Sequence, residues 1–326
     1  LSKTSPLIYP YIEGGLPFDF LDVYGKLSLN SGTGSKLNVF GFRFDDKVIG
    51  YHAIADYHWL NYGVGSNFTV VTGESAILDG SLAYSNYRIT LDDATVARKY
   101  SEIGGFNMTL QITNFIGGNK FKYGLSMEGY NTDYLNVNQY GIYTEQKEPT
   151  TNLSAFATYK WTNGRLLLDP GVRLVYYATL NEPQLEPRLA VKYNINDNVR
   201  LKFAGGFYSQ VFLDARSDND IVNLFNGFLT GTGALNLPST FRGKEVSTCV
   251  QRAEHAVLGA EYDFDEHISF NAEVYFKYFN QLLNANRNKM YDESDPAYQS
   301  GPYEKPDYLL KDFIIESGFA TGFDVS

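Results

Sequence analysis

The chain has 326 residues, of which 44% are hydrophobic and 16% aromatic, and its formal net charge is −10. This apolar content excludes a disordered polypeptide, and the acidic balance argues against a nucleic-acid-binding protein, which needs basic surface to neutralise phosphates. A single cysteine, Cys249, excludes an intrachain disulfide framework and a thiolate zinc cluster.

Alternation of apolar and polar residues, which is typical of β-strands, recurs along the chain. In chain order, the clearest segments are 21–29, 121–128, 153–161, 186–207 and 256–278. We count about 13 such strands, many with the 9 to 11 residues that a tilted strand needs to cross a bilayer. Helical periodicity is almost absent. The sequence contains no run of about 18 consecutive apolar residues, so no membrane-spanning helix is predicted.

The connections between these strands alternate in length. Short polar turns lie at 31–36, 72–74, 117–120, 162–165, 196–198 and 265–267, and longer links at 45–51, 92–102, 139–151, 211–250 and 286–312. All the long links then fall at one end of the strands, as in outer-membrane barrels. A soluble β-sandwich has shorter strands and no reason to sort its loops by end. The predicted fold is therefore an all-β, antiparallel transmembrane β-barrel in the bacterial outer membrane, in contact with its lipids.

The ends of the chain bear on how complete this barrel is. Leu1 is not followed by a signal peptide, which indicates a cytoplasmic protein or a mature or partial chain. Bacterial single-chain barrels have an even number of strands. A strand left unpaired in lipid would also leave its backbone N–H and C=O groups without partners. We therefore interpret residues 1–326 as a partial β-barrel domain, with further strands expected on both sides.

Three segments carry a family resemblance. A Pro-Arg-Leu motif at Pro187 lies in the hairpin 186–210, a Gly-x-Asp motif at Gly322 lies in 316–326, and 19–27 has the pattern of an early barrel strand. In these segments the chain resembles the barrel region of TonB-dependent outer-membrane receptors, particularly those of the Bacteroidetes type. The resemblance implies a 22-stranded barrel around an N-terminal plug, of which this chain supplies strands from near the fourth to near the sixteenth.

The same resemblance implies a function and its partners. It implies active import of a scarce or bulky ligand, driven by the TonB complex through a plug region that this sequence does not contain. Siderophore, cobalamin, oligosaccharide and peptide receptors share this architecture, so the ligand stays open. The alternatives are a passive porin-like channel and a non-transporting outer-membrane barrel that acts as an anchor.

Four basic residues are predicted to form one patch on the lumen wall, because they lie on the polar face of two strands joined by a short turn. These residues are Arg188, Lys192, Arg200 and Lys202. They are expected either to pair with acidic residues of the plug or to form a solvated part of the wall.

Aromatic residues in the two longest links are the predicted ligand-binding residues, because binding residues concentrate on loops held by a rigid scaffold. They are Phe225 and Phe228 in the glycine-containing link 211–250, which could form a lid, and Tyr291, Tyr298, Tyr303 and Tyr308 in the proline-stiffened link 286–312. Such aromatic platforms suit glycans, peptides or a surface lipoprotein. The alternative is ordinary packing of one loop against another.

Catalytic and metal sites are not predicted. The sequence contains no nucleophile elbow, zinc-protease motif or phosphate loop. His52 and His58 would lie about 20 Å apart on one strand, too far to share a metal ion. A polar lumen accounts for inward carboxylates such as Glu128 and Glu186 without chemistry. We therefore expect no enzyme activity, no metal and no cofactor.

Overall fold

The computed structural model describes residues 18–49, 56–73, 75–92, 98–138, 140–216, 226–230, 237–265, 267–292 and 305–326. Its main element is a 13-stranded antiparallel sheet, which confirms the predicted all-β architecture. The sheet strands are β1 (Phe18–Asn30), β2 (Lys36–Val48), β3 (Asp56–Thr72), β4 (Ala76–Asp92), β5 (Lys99–Ile116), β6 (Asn119–Val137), β7 (Tyr143–Asn163), β8 (Leu166–Tyr177), β9 (Glu182–Asn194), β10 (Val199–Gln210), β15 (Gln251–Asp263), β16 (Ser269–Ala285) and β17 (Phe313–Val325).

Two small hairpins lie between β10 and β15. One joins β11 (Phe212–Arg216) to β12 (Asn226–Thr230), and the other joins β13 (Thr240–Phe241) to β14 (Lys244–Glu245). A single 3₁₀ turn, Asp307–Leu309, precedes β17. Among the described residues, no helix is long and apolar enough to cross a bilayer.

Each sheet strand pairs with its neighbours in chain order, and β1 and β17 are the two edges. No ladder joins these edges in the described part of the chain, so the sheet is an open section of barrel wall. The short turns fall where the sequence predicts them. Gly34, Gly73, Gly117 and Gly164 adopt positive φ angles in four of them, a conformation that glycine adopts without steric cost.

The predicted link over 139–151 is wrong. β7 begins at Tyr143 and pairs with β6 continuously from there. The residues from Thr144 to Asn152 are mostly polar on both faces, so they lack the alternation that marks a membrane-crossing strand. Their ladder extends the wall beyond the apolar belt, and the polar side chains of Gln146, Thr150 and Asn152 on its inner face are buried.

One face of the sheet carries a continuous apolar belt. The cross-strand register places Leu82, Met108 and Met127 in one row of this face. Its side chains are strongly exposed: Leu125 by 64% and Phe319 by 70%. Exposed apolar surface on this scale is unfavourable in water, and it is the outward surface that a membrane barrel presents to lipid.

The opposite face is polar, and it is concave. Inward residues of β3 and β4, such as Tyr57 and Ile89, belong to one buried cluster with Phe313 and Ile315 of β17. In a flat sheet, β3 and β17 would lie about 48 Å apart, at about 4.8 Å for each of ten strand spacings. The sheet must therefore curl around a common lumen.

Glycines opposite aromatic rings assist this curvature. The Phe40 ring covers Gly65 on the neighbouring strand so closely that an added Cβ would lie 2.6 Å from the ring, and Phe68 covers Gly80 in the same way, with a separation of 2.3 Å. A glycine leaves room for the ring and lets the strands bend, as in other strongly curved sheets.

Candidate functional site

The four basic residues that the sequence singles out lie together on the lumen face. Arg188 and Lys192 belong to β9, and Arg200 and Lys202 belong to β10. Lys192 and Lys202 are directly opposite each other in the β9–β10 ladder. Two like charges in this arrangement repel each other, so nearby carboxylates are needed to stabilise them.

Three of these residues form ion pairs with carboxylates of the barrel wall itself. Lys202 and Arg200 form close ion pairs with Glu261 and Asp263 of β15, respectively. Glu261 Oε2 also lies 3.4 Å from Arg200 Nη1 and 3.8 Å from Lys192 Nζ. We call these five residues the ion cluster. Sequence reasoning missed the acidic partners, because 40 residues separate β10 from β15 along the chain.

Arg188 belongs to a different arrangement, nearer the start of β9. Its Nη2 donates to Glu186 Oε2 at 2.8 Å. The other oxygen, Glu186 Oε1, accepts from the backbone N–H of Ser209 at 2.8 Å and from its hydroxyl at 2.7 Å. The β9–β10 ladder ends at Gly206, paired with Arg188. The buried Glu186 carboxylate therefore holds β10 where the backbone pairing stops.

A cavity of about 320 Å³ opens on the lumen beside this carboxylate. We call it the wall cavity, and its principal lining residues are Arg173, Glu186, Arg188, Tyr208, Gln251 and His255. The Arg188 guanidinium lies 4.6 Å from the centre of the Tyr208 ring, and the His255 ring centre lies 4.6 Å from the same point. Sequence reasoning placed Arg188 and Glu186 in the lumen but did not single out Arg173, Tyr208 or His255.

The hairpin of β11 and β12 folds inward from the end of β10, and we call it the inward hairpin. The Gln146 side chain of β7 donates to the Thr230 carbonyl at 2.8 Å and accepts from the Thr230 N–H at 3.2 Å. Ser101 of β5 accepts from the Phe228 N–H at 2.8 Å. Each of these bonds uses a backbone group of the hairpin, which is thereby docked on the inner face of the wall.

Apolar contacts complete this docking. Leu229 has no exposed surface, and Leu213 is also buried. Both belong to the cluster that contains Ile89 and Tyr134 on one side of the lumen and Phe313 on the other. The inward hairpin thus crosses the end of the lumen at which the long links lie.

The predicted aromatic residues have different positions. The Phe228 ring packs edge-to-face on Tyr87 of the wall, with ring centres 5.6 Å apart. Tyr291 lies beneath the Lys305 ammonium, 3.3 Å from its ring centre, whereas Tyr308 is largely exposed. Phe225, Tyr298 and Tyr303 lie outside the described residues. Their role in ligand binding stays a prediction, as does that of the basic patch.

The histidines are dispersed. His58 forms a 2.9 Å contact with Asp45, His267 lies in an exposed turn, and His255 lines the wall cavity. Within the described ranges, no group of three His, Cys, Asp or Glu side chains could hold a metal ion. His52 lies outside those ranges.

The fold has close counterparts among solved structures. A mutant ferric enterobactin receptor from Pseudomonas aeruginosa matches with a TM-score of 0.63 at 11% identity, over 95% of this chain and 49% of that chain. The fold is that of an outer-membrane β-barrel. The siderophore receptor PirA from Acinetobacter baumannii matches with a TM-score of 0.64 at 9% identity, over 95% and 50% of the two chains.

A third match extends the same pattern. The FrpB iron transporter from Neisseria meningitidis has a TM-score of 0.61 at 11% identity, over 95% of this chain and 50% of that chain. The chain therefore spans about half the length of the solved structures that it matches. At these identities the likeness establishes the fold alone. Neither a protein-family model nor a curated protein matches the sequence.

Proposed function

We propose that this chain forms part of the wall of an outer-membrane receptor that imports a scarce or bulky ligand by TonB-coupled active transport. The observation that carries the proposal is the inward hairpin, docked across a polar lumen within an apolar-belted barrel wall. A freely conducting pore needs an open lumen. A lumen crossed by a docked element instead fits a ligand that enters only when that element moves.

The finer features of the proposal come from the family resemblance. They are a 22-stranded barrel of the Bacteroidetes type, a plug that contacts the lumen wall and the TonB complex, and a surface lipoprotein on the long loops. The ion cluster bears on the plug contact, because its basic residues are already paired within the wall. A plug would then meet a wall patch whose three positive charges are reduced to a net charge of +1 by Glu261 and Asp263.

The test is an uptake assay on cells that make the complete receptor in their own outer membrane. Because the matched structures include a ferric enterobactin receptor, a siderophore receptor and an iron transporter, the first probes are a ferric catecholate and a ferric hydroxamate carrying radioactive iron. Labelled cobalamin and a labelled oligosaccharide follow. We expect one class to accumulate only when the receptor gene is present, and a protonophore to stop its accumulation.

The other outcomes separate the alternatives. Small solutes that enter at a rate proportional to receptor number, whether or not the protonophore is present, would indicate a porin-like channel. An anchor would give a different pattern. Cells with the gene would import no probe better than the deletion strain, and the deletion strain would lack a surface protein that cells with the gene carry. Either result would contradict active import.

A further inference from the structure

We propose that a groove on the lipid face of β9, β10 and β15 binds one acyl chain of an outer-leaflet membrane lipid. The groove has a volume of about 400 Å³, and we call it the lipid groove. Arg188 and His255 line both the lipid groove and the wall cavity, which lies on the lumen side of the same strands. The site is separate from the proposed import of a ligand, because it lies on the outer surface of the wall.

Two small residues form the floor of the lipid groove. The cross-strand register places Leu189, Gly205, Ala256 and Phe276 in one row across four neighbouring strands. Gly205 has no side chain and Ala256 has only a methyl group, whereas the residues at the two ends of the row are large. Small residues between large ones in such a row leave a depression in the surface of the sheet.

Aromatic rings close this depression along the strand direction. The Phe203 ring, one row nearer the short turns, would lie 3.1 Å from a Cβ atom added to Gly205. Phe207, one row nearer the long links, is 50% exposed. Both residues lie on the lipid face, because they alternate along β10 with the lumen residues Lys202 and Tyr208. The lipid groove is therefore apolar along most of its length.

A proline explains why the sheet opens at this point. The β9–β10 ladder ends at the pair of Arg188 with Gly206, although β9 begins at Glu182 and β10 continues to Gln210. The residue of β9 next to this pair is Pro187, which has no N–H to donate to β10. Proline inside a sheet removes a ladder hydrogen bond. The two strands therefore part beyond this pair, and Pro187 lines the groove there.

A flexible chain fits the lipid groove better than a second barrel does. In the next row toward the short turns, Val191, Phe203, Leu258 and Val274 continue the apolar belt. The groove thus opens directly onto the hydrocarbon region of the bilayer. A neighbouring barrel presents a convex wall, which cannot reach the floor of a narrow depression. An acyl chain can follow the groove and supply the packing contacts that its lining residues would lack around a void.

A single carboxylate marks the outer end of the lipid groove. Glu254 lies in the row of Phe207, lines the groove and accepts from the Asn280 amide at 2.9 Å. Carboxylates are costly inside the hydrocarbon region, so this row lies at the border of the apolar belt nearest the long links. Long links face the cell exterior in outer-membrane barrels. The acyl chain therefore enters from the outer leaflet, with the lipid headgroup beside Glu254.

The experiment uses the complete receptor in vesicles that contain a trace of a phospholipid with a photoreactive diazirine on its acyl chain. The vesicles are dissolved in detergent, the receptor is washed to remove loosely bound lipid, and the sample is then irradiated. We expect the peptides that contain Leu189, Phe207 and Phe276 to carry at least about fivefold more label than the lipid-face peptide around Leu125, because packing in a groove slows exchange.

The variant that tests the site is Ala256→Leu, whose larger side chain fills the groove. It should lower the label on the groove peptides at least about fivefold. The matched control is Ala260→Leu, on the same face of β15 but outside the groove, and it should leave the label unchanged.

A second variant covers the case in which Ala256→Leu does not fold. Phe276→Ala removes one wall of the groove and should also lower the label on the peptide of Leu189. Its control is Phe270→Ala, on the same face of β16 but outside the groove. The heat-dependent shift of each variant on detergent gels shows whether its barrel is folded, and only folded variants are compared.

Three results would overturn the inference. The label could be spread evenly over the lipid face, or Ala260→Leu could lower it as much as Ala256→Leu does. In a Cys249→Ala background, Ala256→Cys could also join two receptor copies by a disulfide in intact outer membranes, which would mean that a second copy covers the groove. The uptake assay does not depend on any of these results, so the proposed function is tested separately.

Discussion

The inward hairpin and the barrel wall are held in different ways. Every wall strand has ladder hydrogen bonds to its neighbours, so ion pairs such as those of Glu261 only add to a pairing that the backbone already makes. Among the described residues, the inward hairpin forms no ladder with the wall. It is held by the bonds of Gln146 and Ser101 and by the burial of Leu213 and Leu229. We therefore predict that the hairpin leaves as a unit while the wall stays intact.

The sharpest test of this difference is to lock the hairpin to the wall. The hydroxyl oxygens of Thr132 and Thr230 lie 3.3 Å apart, so cysteines at both positions come within reach of a disulfide. In a Cys249→Ala background, we expect oxidation of Thr132→Cys/Thr230→Cys to reduce uptake to the level of the deletion strain. A reductant should restore it.

A disulfide within the wall is the control for the lock. Asn38 and Asn67 lie opposite each other on β2 and β3, and the Asn38 amide donates to Asn67 Oδ1 at 2.7 Å. Oxidised Asn38→Cys/Asn67→Cys should transport normally, because neither residue belongs to the hairpin or to the candidate site. If the locked hairpin still transports at the normal rate, the hairpin is not a gate.

The next largest effect should follow from loosening the hairpin. Leu229→Ala removes a side chain with no exposed surface, which should cost about 2–5 kcal/mol of docking free energy. We expect faster proteolysis of the hairpin and greater entry of a bulky antibiotic, with no change in the unfolding temperature of the barrel. Leu125→Ala, on the lipid face, is the matched substitution and should change neither the proteolysis rate nor antibiotic entry. An equal effect of both substitutions would contradict the proposal that the docked hairpin closes the lumen.

On the wall, a change of one methyl group should act on stability alone. In Gly65→Ala, the new Cβ would lie 2.6 Å from the Phe40 ring. Such overpacking costs about 1–3 kcal/mol, so the heat-dependent gel shift should occur at a lower temperature. Gly25→Ala is the control, because nothing lies within 4 Å of its Cβ position. Uptake by folded Gly65→Ala receptor should stay normal; a defect there would mean that the wall also moves.

The smallest effect is expected in the ion cluster. Glu261→Gln should cost no more than about 1 kcal/mol, because its ion pairs are partly exposed to the lumen. Added salt should reduce the difference in free energy of unfolding between Glu261→Gln and the parent protein. Glu186→Gln, at a buried carboxylate with three donors, should cost more. Unfolding in denaturant at two salt concentrations measures the free energy of unfolding of both variants. A larger loss of stability in Glu261→Gln than in Glu186→Gln would contradict this ranking.

Much of the wall could be predicted from the sequence. The alternation in 186–207 identifies both the lipid face and the lumen face of β9 and β10, and the placement of Arg188, Lys192, Arg200 and Lys202 on the lumen face follows from it. The prediction is wrong over 139–151, because a strand that is polar on both faces has no apolar–polar alternation to detect.

The candidate site was harder to predict. Arg173 follows Pro170 and Gly171, which interrupt the apolar pattern of β8. Tyr208 and His255 are far apart in sequence, and their contact depends on the β10–β15 ladder. The inward hairpin has no sequence signal of its own, since its glycines and aromatic residues are equally typical of a loop on the surface.

The sequence by itself determined the strands, their faces and the side of the sheet on which the long links lie, because side-chain alternation is a local property of an extended chain. Only the tertiary structure decided which charges are paired and that the hairpin crosses the lumen. The charge pairs depend on the ladder between β10 and β15, which lie 40 residues apart along the chain, and the crossing of the lumen depends on the curl of the sheet.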